Sequence, residues 1–346
     1  MRQLAARRLV ILALLGLVMW TGRGVAPQIA SAFTIDDALT HGTPADPSDD
    51  LLDAARWTNV PGSLVGEGVR GLGGGIEYAI APDLCPKLLP RFIDRPAPIC
   101  DQVLGAIRQA FDRWGQGHPV LRFVDVSGRI RAQIPPQGVR DPWRGFGAEI
   151  DLLAFSPREY PSLGRFGSYT AFWYVFRAPM GTNGRVLPGN TLTSADIVLS
   201  TETCYNLDPA LAGRGCNHFE SLVLHEIGHA LALDHPNEFR HRNFDSDGDP
   251  TNEIPIDCQD PTRGLRLSPN IDPNAVMNSS LGRPEPIHPA LTNDDLGGRN
   301  FLYPICPGGQ APATDRLGAW AATGVLAAAI RWRRRPPSAP ARTAGR

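Results

Sequence analysis

The chain lacks any apolar run long enough to cross a bilayer as a helix. Its two longest, Leu9 to Trp20 and Leu317 to Ile330, span 12 and 14 residues, where about 20 are needed. It also lacks basic residues where a nucleic-acid partner would need them. The ends hold ten arginines and no acid, four in residues 1–32 and six in residues 331–346, so the formal charge of −1 for the whole chain leaves −11 for residues 33–330. An acidic body of that kind excludes a phosphate-backbone footprint, and the absence of an internal repeat excludes a solenoid. Histidine is scarce, with 8 in 346 residues and none between His118 and His218. Cysteine is also sparse, and its six positions, 85, 100, 204, 216, 258 and 306, do not have zinc-ribbon spacing.

Against that scarcity, three histidines fall within 11 residues: His225-Glu226-Ile227-Gly228-His229-Ala230-Leu231-Ala232-Leu233-Asp234-His235. A chance match of three His and one Glu to these offsets has a probability of about 10⁻⁴. If Leu222 to Leu231 is helical, His225 and His229 stack on one face and both ring nitrogens reach one ion. Glu226 sits one step round the helix, where its carboxylate is placed to take a proton from water rather than to act as a ligand. His235 lies beyond the helix, so the chain must turn back to bring a third nitrogen to the metal, leaving a fourth position open. A buried amphipathic helix with hydrogen-bonded histidines is the plain alternative. A closed structural zinc is a further one, but such sites usually have four ligands and favour Cys, which this motif lacks.

The motif resembles that of the metzincin zinc peptidases, and within them the matrixins, the matrix metalloproteinase type. Asn274-Ala275-Val276-Met277-Asn278 is similar to the methionine turn that metzincins place beneath the zinc. Leu291-Thr292-Asn293-Asp294-Asp295-Leu296-Gly297-Gly298-Arg299-Asn300-Phe301-Leu302-Tyr303 is similar to the closing matrixin helix. The resemblance covers roughly residues 76–305. It implies an α+β zincin fold, with a twisted mixed sheet, a backing helix, an active-site helix, and a C-terminal subdomain with methionine turn and final helix. It also implies a zinc endopeptidase in which His225, His229 and His235 bind Zn(2+), Glu226 activates water, Met277 supports the site, and the substrate is a protein or peptide.

The local patterns fit that order. Gly75 to Ile80, Val120 to Val126, Ala148 to Phe155 and Ala195 to Leu199 read as strands. Asp101 to Trp114 carries Val103, Leu104, Ile107, Ala110, Phe111 and Trp114 at a helical period. Three departures stand out. Ala232 replaces the glycine that lets metzincins leave the helix through a left-handed turn, and keeping that dihedral costs an alanine about 1–2 kcal/mol. Ser279 stands where astacins and serralysins have tyrosine. The missing histidines between His118 and His218 speak against the second, structural zinc of matrixins.

The segment between His235 and Met277 is longer than matrixins usually show. In it Asn243, Asp245, Asp247 and Gly248 begin like a calcium loop, with Asp249 and Glu253 as further oxygen donors, but Ile254 stands where a bidentate glutamate belongs. Calcium and an acidic solvated turn are both open.

Residues 1–32 read as a signal peptide, with Arg2, Arg7 and Arg8, an apolar run, and Ala30-Ser31-Ala32 as cleavage site. An uncleaved anchor is the alternative. A secreted or surface location is therefore expected, and with it disulfides. Neighbour pairing joins Cys85 to Cys100, Cys204 to Cys216 and Cys258 to Cys306, one of 15 connectivities. Residues 33–75 are a linker or a pro-segment. That stretch has no Cys to block a zinc, so in a pro-segment some other group, one of its aspartates such as Asp36 or Asp37, would have to take the role. Residues 306–316 read as a linker. Residues 317–346, apolar and then basic, resemble the C-terminal sorting signals of some Gram-negative exported proteins and imply transient membrane contact. A permanently anchored or soluble tail is the alternative. A monomer is expected. Two other functions stand behind the matrixin-like one: a pappalysin-like metzincin, favoured by the long insertion before Met277, and a zinc-binding adhesion or interaction protein with weak or no turnover.

Overall fold

The computed structural model describes residues 34–35, 55–57, 62–64, 67–69, 71–129, 148–164, 167–175, 191–211, 214–238, 244–245, 266–267, 271–280, 286–288 and 290–303. The signal peptide, both C-terminal segments, Asp36, Asp37, Asn243, Asp247, Asp249, Glu253, Cys258 and Cys306 lie outside them. Asp245 belongs to a short antiparallel pairing, Phe244–Asp245 with Arg266–Leu267.

The architecture is mixed α and β. One five-stranded sheet is built from β1 (Ile76–Ile80), β2 (Phe123–Asp125), β3 (Ile150–Phe155), β4 (Ser168–Val175) and β5 (Thr191–Ser200), in the order β2-β1-β3-β5-β4. The first four strands in that order run parallel, and β4 is antiparallel to β5 at the edge. All six residues of β3 are buried, as a parallel strand covered on both faces requires. Strands β1, β2, β3 and β5 fall where the sequence pattern placed strands, though β2 is shorter and β5 longer. Strand β4 was not among those read from sequence, although Tyr169 to Val175 is a run of β-formers.

Helices α1 (Leu84–Leu88), α2 (Cys100–Gly115), α3 (Phe219–Ala230) and α4 (Asn293–Leu302) complete the main elements. Helix α2 buries Val103, Ala106, Ile107, Ala110, Phe111 and Trp114, one apolar stripe facing the core. Phe111 stacks on Tyr78 of β1 at 3.9 Å between ring centroids. A disulfide joins Cys85 of α1 to Cys100, the first residue of α2. Among the described residues no helix is long and apolar enough to cross a membrane.

Helix α4 is tied back to this layer by polar contacts. Arg299 Nη1 donates to the carbonyls of Trp114 and Gln116, at 3.1 and 3.2 Å, occupying two that α2 leaves open at its C-terminus. His118 Nε2 meets the carbonyl of Tyr303 at 2.7 Å, while its Nδ1 accepts from the backbone of Leu121 at 2.9 Å. That arrangement fixes a neutral imidazole. Burial first, then the Arg299 charge, pushes its pKa down to about 4.

Candidate metal centre

Helix α3 is buried on almost every side, from Phe219 through Gly228 and Ala230, with only Glu220 and His229 less covered. A polar side chain in such a helix must find a partner or a ligand. Its entry is fixed covalently. The disulfide Cys204–Cys216 closes a loop whose ends pair as short parallel strands, Tyr205–Asn206 beside Asn217–His218, and Phe219 follows at once. Two of the three expected cysteine pairs are therefore present. Phe219 then packs edge-on against Phe92 and Tyr205, at 5.2 and 5.5 Å between centroids.

At the far end the last carbonyls of a helix need outside donors. Trp57 Nε1 donates to Ala230 O at 3.0 Å, and Tyr303 Oη donates to Leu231 O at 3.0 Å. The chain then reverses through Ala232, which takes φ of +71°, the left-handed region that favours glycine. The turn expected of a glycine is thus kept by an alanine. Its methyl is fully buried, and that burial offsets part of the strain.

The reversal has a chemical result. It returns Leu233 O to within 2.8 Å of His229 Nδ1 and brings His235 to the face of α3 that carries His225 and His229. The three Nε2 atoms lie 3.1, 3.1 and 2.9 Å apart. These short separations are not hydrogen bonds. His225 Nδ1 donates to Val276 O at 2.7 Å and His229 Nδ1 to Leu233 O, so in the neutral rings both Nε2 atoms carry lone pairs and no proton. Burial, reinforced by His235 and His225, keeps His229 well below its usual pKa and therefore neutral. His235 Nδ1 lies 3.5 Å from Glu238 Oε2 and 3.9 Å from Asp234 Oδ1, an acidic setting that favours the N–H on Nδ1. Three lone pairs thus converge on one point.

Such a donor set suits a divalent cation of borderline softness. A triangle of this size lets one ion sit about 2.0–2.1 Å from all three nitrogens, and the partners on Nδ1 orient the rings for it. Among the described residues, this is the one group of three or more His, Cys, Asp or Glu side chains placed to share a metal ion.

Met277 lies under α3, 3% exposed. A Cβ added at Gly228 would collide with Met277 Sδ and meet Trp114 Cζ2 at 3.0 Å, so the glycine between the two helical histidines is what lets the methionine approach. The turn itself is held by Asp295 of α4. Its carboxylate accepts from the backbone of Val276 and Met277, each at 3.0 Å, and from Thr292 N at 2.8 Å. The final helix therefore fixes the same Val276 whose carbonyl orients His225. Beside this turn a cavity of about 360 Å³ is lined by Asn237, Pro273, Asn278, Ser279, Ser280 and His288 among others. Asn237, two residues past His235, exchanges hydrogen bonds with the backbone of Ser279 at 2.8 and 2.9 Å.

Glu226 points to β4. Ser168 Oγ donates to its Oε1 at 2.6 Å and Thr170 Oγ1 donates to its Oε2. Sequence analysis missed both hydroxyls. The signal that was available is their spacing of two, which puts them on one face of a strand. Compared with known proteins, the chain matches no family model and no curated protein.

Proposed function

We propose that the protein is a zinc-dependent endopeptidase of the metzincin type, similar to the matrixins and acting outside the cytoplasm. The observation that carries this is the convergence of three lone-pair nitrogens, with Glu226 following His225 on the same helix and not one of their number. Support also comes from element order: a first strand, a long helix, further strands, the histidine helix, a methionine turn and a closing helix. His225, His229 and His235 would hold the ion. Zinc bound there supplies Lewis acidity, lowering the pKa of a water to about 7 and polarising a carbonyl.

The remaining work falls to this chain's own groups. Glu226 accepts the proton of the attacking water as the new C–O bond forms, and passes it to the nitrogen of the departing amine as the C–N bond breaks. Val276 O and Leu233 O hold the histidine rings in one tautomer. Strand β4 is one of the two edge strands of the sheet, and an extended peptide can align along such an edge. The cavity past Met277 would then take a substrate side chain.

One observation favours a second function, a zinc-binding interaction protein without turnover: both oxygens of Glu226 already accept from hydroxyls. Incubation of the full chain with an unfolded protein separates the two. Cleavage that stops with a chelator and returns with added zinc supports the peptidase. Intact substrate in the presence of zinc-loaded protein favours the second function.

A further inference from the structure

The two hydroxyls on β4 are a built feature of the site, and their role follows from how a carboxylate accepts hydrogen bonds. Ser168 and Thr170 stand two apart on a strand, so both side chains face α3, while Tyr169 between them is 38% exposed. Ser168 is buried, as is Glu226 at 5% exposure. Each hydroxyl takes a different oxygen of the same carboxylate. Thr170 Oγ1 also lies 3.2 Å from the backbone carbonyl of Glu226, so the hydroxyl, whose one proton goes to the closer Oε2, sits against the main chain of the same residue. An ionised carboxylate has about four lone-pair sites. The two hydroxyls use one on each oxygen and leave one on each.

We propose that Ser168 and Thr170 are positioning residues, which hold the Glu226 carboxylate in one orientation while leaving a lone pair free to receive the proton of the attacking water. This rests on the peptidase function proposed above. A glutamate has three side-chain torsions, and a base that wanders by an ångström loses much of its effect. Registry makes the device firm: Ser168 pairs with Leu199 and Thr170 with Ile197 in the antiparallel β4–β5 ladder. The sheet thereby sets the position of a group on α3.

The test uses full-length, zinc-loaded protein carrying Ser168→Ala, Thr170→Val or both. Thr170→Val keeps the β-branched shape that a strand accepts and removes only the hydroxyl. Each single change is expected to lower kcat by about 10-fold and the pair by about 10²-fold, with KM and zinc content unchanged, and Thr170→Ser is expected to restore most of the rate. A purely structural role would not divide in that way. Thermal unfolding supplies a readout that needs no turnover. Thr170→Val should lower the melting temperature by several degrees when Glu226 is present and by much less in a Glu226→Ala background. An unchanged kcat in the double variant, a change confined to KM, or additive melting shifts would each overturn the proposal. Glu226→Gln, assayed alongside, keeps two failures apart. If Glu226→Gln is inactive and the hydroxyl variants keep full rate, only the positioning role falls; if Glu226→Gln stays active, the peptidase mechanism falls and the unfolding cycle alone decides the contact.

Discussion

Helices α2 and α3 lie side by side and solve opposite problems. Helix α2 buries one apolar stripe and leaves Asp101, Gln102, Arg108 and Gln109 to solvent. It is held by area and by Arg299 at its end. Helix α3 buries nearly every side, polar groups included, so it is held by named partners: Trp114 Nε1 donates to Leu224 O at 2.7 Å, Ser168 and Thr170 donate to Glu226, and Val276 O and Leu233 O accept from His225 and His229. The difference is that the first helix supplies a packed support, while the second carries the polar groups of the candidate site. Damage to each should therefore register in different assays.

The sharpest contrast in stability comes from the bond at the start of α2. Replacing both Cys85 and Cys100 by serine releases a loop closed across 15 residues, which should cost about 3 kcal/mol of unfolding free energy. Metal content and rate at low temperature should stay near wild type. A similar loss comes from acid at the end of the same helix. His118 is held neutral in the fold down to about pH 4, whereas an unfolded histidine binds its proton near 6.5. The stability it contributes is therefore full above about 6.5 and is lost as pH falls toward 4, amounting to about 2–3 kcal/mol. Chemical denaturation at pH 7 and pH 4 should show that difference, and His118→Gln should flatten it.

In α3 a single methyl should reverse the pattern. Gly228→Ala pushes a Cβ into Met277 and Trp114, overpacking that costs about 1–3 kcal/mol. Because His225 and His229 flank the site, zinc affinity should fall as well, which competition with a chelator would reveal. The smallest effect is expected just past the helix. Ala232→Gly relieves about 1–2 kcal/mol of left-handed strain but gives up a buried methyl of about 0.8 kcal/mol and adds backbone entropy of about 0.5–1 kcal/mol. Unfolding should shift by less than about 1 kcal/mol.

The same contrast explains what could be read from the residues alone. Helix α2 was legible because its apolar residues repeat with the helical period, and the observed Cys100–Gly115 exceeds the expected Asp101–Trp114 by one residue at each end. Helix α3 was legible only through its histidine spacing, because burial on all sides erases the period. Sequence could not supply the carbonyls of Val276 and Leu233, since every residue type carries a carbonyl and only the tertiary path selects one. Strand β4 was missed, and with it Ser168 and Thr170, because a hydroxyl on an edge strand is ordinary until a carboxylate is found opposite. The left-handed turn was expected to be strained by Ala232, and the fold keeps it regardless, with the methyl buried in the core.

The central claim is that metal binding and turnover reside in different side chains of one helix. Full-length Glu226→Gln, compared with wild type for zinc content by atomic absorption and for hydrolysis of an unfolded protein, tests it most directly. The account predicts about one zinc per chain in both proteins and a rate lowered by a factor of about 10²–10⁴ in the variant. A Glu226→Gln protein that hydrolyses substrate at the wild-type rate, or that loses its zinc, would contradict it.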